Sequence, residues 1–145
     1  MEIFANLGWI SLALLSAFFA ALVAIFGKLG VTSVDTTLVT FIRSMVMLGV
    51  FTLIVLGLGS YKNIHEINQR TLLFIILSGV AGAASWLFYF MALKRGPIAG
   101  VVGVDRLSLV FAVILAIIFL GDKLTLKEII GAVLVSIGAI LLSLH

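Results

Sequence analysis

Cysteine is absent from this 145-residue chain, so neither a disulfide framework nor a thiolate metal site can be built. Charge is also scarce. Asp, Glu, Lys and Arg make up 10% of the residues, against about 25% in a soluble domain. So few charges cannot cover a surface that faces water. Histidine occurs twice, as His65 in a polar connection and as the terminal His145. Neither has partners at metal-ligand spacing, so no metal and no cofactor is expected. A Ser/His/Asp set, a phosphate loop or a pair of catalytic carboxylates cannot be assembled either, and enzyme activity is not expected.

What the chain has in abundance is apolar residues: 63% of the total, with a mean hydropathy of +1.38. This composition specifies an integral membrane protein. The net charge of +3 is small and lies mostly in loops and helix ends. In such a protein it points to contact with anionic lipid and to topology control, not to nucleic acid.

Five hydrophobic runs are each close to the 20 or so residues that cross about 30 Å of hydrocarbon. They are Leu7–Gly27, Thr36–Leu58, Leu72–Leu93, Ile98–Leu120 and Ile129–Leu144. Lipid leaves no partner for an open sheet edge, and strand-length polar/apolar alternation is missing, so the runs predict helices. The predicted class is an all-α membrane protein of five transmembrane helices in a single domain, 1–145. Gly96-Pro97 separates the third and fourth runs, as a stop followed by a helix start. Gly121-Asp122 separates the last two, and Thr125 with Glu128 three residues on has the form of a capping box. Glu2 in place of a basic leader region, and the length of the first run, predict a membrane span there and not a cleaved signal.

Basic residues are almost evenly divided. With the amino terminus on side A, Lys62, Arg70, Lys123 and Lys127 fall on that side, and Lys28, Lys94 and Arg95 on side B. Orientation normally follows a clear Lys/Arg excess, and here there is hardly any. A single weakly biased topology and insertion both ways remain open on this count.

Small residues form stripes in the first run (Ala13, Ala17, Ala20/Ala21, Ala24) and the last (Ala132, Ser136, Ala139 and Ser143 on one face, Gly131 and Gly138 on another). They predict close helix packing, with a dimer contact as an alternative for the last. Polar residues are sparser. Arg43 lies about 6 Å to the B side of the centre of the second run, beside Thr36, Thr40 and Met47 on one face. Asp105 and Trp86 come out at roughly the same depth, and Ser78, Gly82, Ser85 and Tyr89 follow one another at helical spacing. Each charge costs roughly 2.5–3.5 kcal/mol at mid-helix, and residues of this kind commonly mark substrate or proton paths. The residues read as a candidate substrate or coupling site are therefore Arg43, Asp105, Arg106, Trp86, Tyr89, Thr40 and Ser85. The plainer alternative is an Arg43–Asp105 pair that only fixes helix packing. Asp105 and Arg106 point about 100° apart, so only one of them can face a cavity squarely. Lys28 and Asp35 are expected to snorkel and to cap.

These segments resemble a known family. A-L-L-S-A-F-F-A-A-L-V-A-I-F-G-K-L-G-V from Ala13, with D-T-T-L-V-T-F-I-R-S ending at Ser44, looks like the opening of an EamA repeat. S-W-L-F-Y-F-M-A-L-K-R-G-P (Ser85–Pro97) resembles its third-to-fourth-helix junction, and F-L-G-D-K-L-T-L-K-E-I-I-G-A-V-L-V-S-I-G-A-I-L-L (Phe119–Leu142) its close. V-D-R-L-S at Val104–Ser108 is similar to the five-helix bacterial and archaeal branch of the drug/metabolite transporter superfamily.

The resemblance implies a secondary transporter in a prokaryotic cytoplasmic membrane, exporting a small polar or zwitterionic metabolite such as an amino acid. Most EamA proteins carry two inverted repeats. One five-helix repeat then implies an antiparallel homodimer, whose two Arg43 layers would lie roughly 12 Å apart along the membrane normal. A non-transporting scaffold or half-transporter is the alternative from another class. A multidrug cation exporter like the small multidrug resistance proteins is less favoured, because Leu7–Gly27 contains no acid.

Overall fold

Backbone N–H and C=O groups in hydrocarbon must pair within their own segment, and each of the five long apolar runs is helical. The computed structural model describes residues 8–144 and divides into two compact units between Lys94 and Arg95. The first unit holds α1 (Trp9–Val31), α2 (Thr36–Gly57), a 3-10 helix (Ser60–Glu66) and nearly all of α3 (Gln69–Arg95). The second holds α4 (Ile98–Asp105), α5 (Ser108–Leu120) and α6 (Leu126–Ser143). The expectations that fell on Glu2, Leu7 and His145 lie outside the described residues.

Helix ends extend past the apolar runs that predicted them. α1 continues beyond Gly27 to Val31, α3 starts at Gln69 and ends at Arg95, and α6 starts at Leu126. The added turns carry Lys28, Arg70, Lys94 and Lys127, whose long stems allow a helix to outlast its hydrophobic stretch. Side-chain caps mark three starts. The Leu38 N–H donates to Asp35 Oδ1 (3.0 Å), and the Thr71 N–H donates to Asn68 Oδ1 (2.8 Å). Thr125 and Glu128 complete the capping box, with the Thr125 N–H 2.7 Å from Glu128 Oε2. Each satisfies N–H groups that the first helical turn leaves without partners.

The predicted fourth span, 98–120, has the expected length but is not one continuous α-helix. At Arg106-Leu107 the four-residue bonds give way to three-residue ones. The Arg106 N–H donates to the Gly103 carbonyl (3.1 Å), Leu107 to Val104 (2.9 Å) and Leu109 to Arg106 (3.1 Å). Both residues keep right-handed helical angles, so the segment tightens without unwinding.

In the first unit, α1 meets α3 where Gly27 lies against the Phe90 ring, too close for a Cβ at position 27. Two lysines tie the ends of these helices. Lys28 Nζ donates to the Leu93 carbonyl, and Lys94 Nζ donates to the Val34 carbonyl at 2.8 Å. Lys28 thus serves a carbonyl of α3's last turn, where a helix runs short of backbone donors. In the second unit α4 packs on α6. A Cβ at Gly103 would lie 2.9 Å from Leu142 Cβ, and one at Gly100 would lie 3.3 Å from the Leu142 carbonyl oxygen. The Ala139–Ser143 end of the small-residue stripe therefore packs within the chain, with Ala139 buried. Ala24 is buried in the first stripe, whereas Ala13 and Ala17 are exposed.

Candidate functional site

Arg43 extends from the middle of α2 toward the aromatic face of α3. Trp86, Tyr89 and Phe90 gather there because positions three and four apart share a helix face. Trp86 and Phe90 stack with centroids 5.7 Å apart, and Tyr89 meets each of them edge-on, at 5.6 Å and 5.8 Å. The Arg43 guanidinium carbon lies 3.8 Å from the Trp86 ring centroid and 5.4 Å from that of Phe90. Among the described residues of this unit, no carboxylate is paired with it.

A cation–π contact returns about 0.5–2 kcal/mol, against the roughly 2.5–3.5 kcal/mol that a mid-membrane charge costs. Rings also accept none of the directional hydrogen bonds that the five guanidinium N–H donors can make. A planar fork of this kind can bind an oxyanion with two parallel bonds.

A cavity of about 290 Å³ opens beside the guanidinium. Its walls are Val23, Phe26, Gly27 and Gly30 of α1, Val39 of α2 and Phe90 of α3, with Arg43 as the charged wall. Thr40 is buried, and its hydroxyl donates to the Thr36 carbonyl (2.8 Å). Ser44 donates in the same way to the Thr40 carbonyl (2.8 Å). The polar company that α2 lends Arg43 is thus partly committed to the helix backbone. Ser85 is exposed, while Trp86 and Tyr89 are half-buried.

Asp105 and Arg106 belong to the second unit. Asp105 is half-buried at the end of α4, and Arg106 is exposed at the tightened turn. Arg106 and Ser108 stand at an open cavity of about 750 Å³, lined otherwise by Leu109, Ala112, Val113 and Ala116 of α5 and Val135 of α6.

Within the first unit, then, the fold brings together Arg43, Trp86 and Tyr89 of the predicted set. It adds Phe90 and Gly27, which sequence reasoning missed. Phe90 is one of eleven phenylalanines and stands out only by its spacing, four residues after Trp86 on the same face. Gly27 looked like the end of a span, whereas it lies inside α1 where the ring packs.

Comparison with known proteins gives this geometry a context. The model of the EamA-like transporter family matches residues 7–144. A Sinorhizobium sp. protein named "Uncharacterized transporter in cobO 3'region" is 46% identical over 135 residues, covering 93% of this chain and 96% of that one. An uncharacterised protein of Methanocaldococcus jannaschii is 39% identical over 84 residues, covering 58% of this chain and 61% of its own. No solved structure matches. Five helices among the described residues that are long and apolar enough to cross a bilayer, and a family match over almost the whole chain, lead to one identification: this is an integral membrane protein belonging to the EamA-like transporter family.

Proposed function

We propose that the protein is a secondary transporter that exports a small polar or zwitterionic metabolite, such as an amino acid, by alternating access. The observation that carries this reading is Arg43, held over the Trp86 ring at the wall of a cavity in the spanning region. Its guanidinium binds the substrate carboxylate, and Trp86 and Tyr89 border the bound molecule. Asp105 couples release to a proton or to the substrate's own cation.

The working unit in this reading is an antiparallel homodimer. Its support is the near balance of basic residues between the two ends, together with an odd number of spans. Two such copies inserted in opposite senses recreate the inverted repeats that suit alternating access. Arg106, exposed in its own unit, is assigned to the contact between copies.

Proteoliposomes loaded with a radiolabelled amino acid provide the test. Efflux from wild type, its loss in Arg43→Gln, and loss of its response to an imposed pH gradient in Asp105→Asn are the expected results. Intact gradient-driven efflux in Asp105→Asn would remove the coupling role. Mapping tagged termini tests the dimer: copies in both orientations are expected, and one fixed orientation rejects it.

A further inference from the structure

Arg43 forms one wall of its cavity, and the other walls are of a different kind. Val23 and Phe26 of α1, Val39 of α2 and the ring of Phe90 present hydrocarbon. A carboxylate that reaches the guanidinium must therefore lay the rest of its molecule against apolar surface. A hydrophilic substituent there would give up water without a partner, whereas an alkyl or aryl group would gain by leaving it. The volume of about 290 Å³ is at the small end for ligand cavities, suited to one amino-acid side chain and not to a large drug.

Two glycines border this space one turn apart, and they differ. The missing Cβ of Gly27 leaves room for Phe90, so that position belongs to packing. A Cβ at Gly30 would meet nothing within 4 Å. Gly30 is therefore not required for close approach of the helices. It borders the cavity, and the space its Cβ would take is open.

We infer that this cavity is a side-chain subsite for carboxylates bearing an apolar group, such as branched or aromatic amino acids, and that Gly30 sets the size it admits. This rests on the reading of Arg43 as the carboxylate's partner. Substrates lacking a side chain engage Arg43 alone and bind weakly. A larger residue at position 30 occupies the space of the substrate's own side chain and shifts preference toward smaller substrates.

The experiment uses the full-length protein carrying Trp9→Phe, which removes an exposed tryptophan at the start of α1 and leaves Trp86 as the sole tryptophan, excited selectively over the tyrosines at the red edge of its absorption. Glycine, alanine, leucine and phenylalanine are titrated against Trp86 emission, and each is then tested as an efflux substrate. Leucine is expected to half-saturate at a concentration at least roughly tenfold below that of glycine, the usual effect of a methylene or more in an apolar pocket. Gly30→Val should weaken leucine by roughly tenfold while alanine changes little, with Gly30→Ala intermediate. Equal responses across the four amino acids, or a leucine response unchanged by both substitutions, overturn the subsite and leave the transport reading intact. A protein that neither binds nor moves any of the four overturns both.

Discussion

Arg43 and Arg106 each stand a few residues before the middle of a membrane span, yet their helices treat them differently. Arg43 projects from an unbroken α2 onto a platform of three aromatic rings that α3 supplies. Arg106 occupies a turn where α4 passes into α5 through three-residue hydrogen bonds, and its side chain is exposed. In the first case the partner is a surface of π-electrons that partly offsets a fixed charge. In the second, the helix tightens at the charged position. A charge in a membrane span thus does not define its own role. The neighbours decide whether it rests on a partner helix or is left at a surface.

The sharpest way to break this comparison is to neutralise each arginine in turn. Arg43→Gln is expected to reduce amino-acid efflux at least tenfold in proteoliposomes, because losing a charge-assisted bond costs about 1.5–3 kcal/mol. Arg106→Gln should preserve the maximal rate within about threefold in protein that still dimerises. Equal losses would erase the distinction.

Glycine substitutions sharpen it next. Gly27→Ala drives a methyl group into the Phe90 ring, and Gly103→Ala drives one against Leu142. Each should destabilise by about 1–3 kcal/mol, as overpacking does, read as a lowered midpoint in detergent unfolding. Only Gly27→Ala should also move Trp86 emission, since Phe90 stacks on that ring. A smaller effect is expected from Trp86→Leu. It removes the guanidinium's nearest ring, worth about 0.5–2 kcal/mol, and should weaken substrate half-saturation without changing oligomeric state. The smallest is Thr125→Ala, which deletes a capping box of about 1 kcal/mol at α6 and should leave transport untouched.

The spans were legible because length and hydropathy alone meet the requirement of a 30 Å hydrocarbon layer. The caps at Asp35 and Thr125 were legible as well, since each acts within one turn of chain; the one at Asn68 was not read. Counting 1.5 Å per residue placed Arg43 and Trp86 at one depth, and in the fold the guanidinium lies over that ring. Phe90 was not legible, because an apolar ring in an apolar helix carries no signal until a partner helix selects a face. The tightened turn at Arg106-Leu107 escaped for another reason. It contains no proline, and its residues keep helical angles, so only the hydrogen-bond pattern reveals it.

The sequence by itself determined the solvent this protein folds in, the number of its spans and the family to which it belongs. All three follow from composition and from local order along the chain. Only the tertiary structure decided that Arg43 rests on Trp86 and Phe90, that Gly27 is a packing position and that Gly30 borders open space. Those facts depend on which faces of α1, α2 and α3 meet. Nearly every face of these helices is apolar, so hydrophobicity could not choose among them. The choice came from steric fit between a ring and a missing Cβ, and from one charge finding the nearest π-surface.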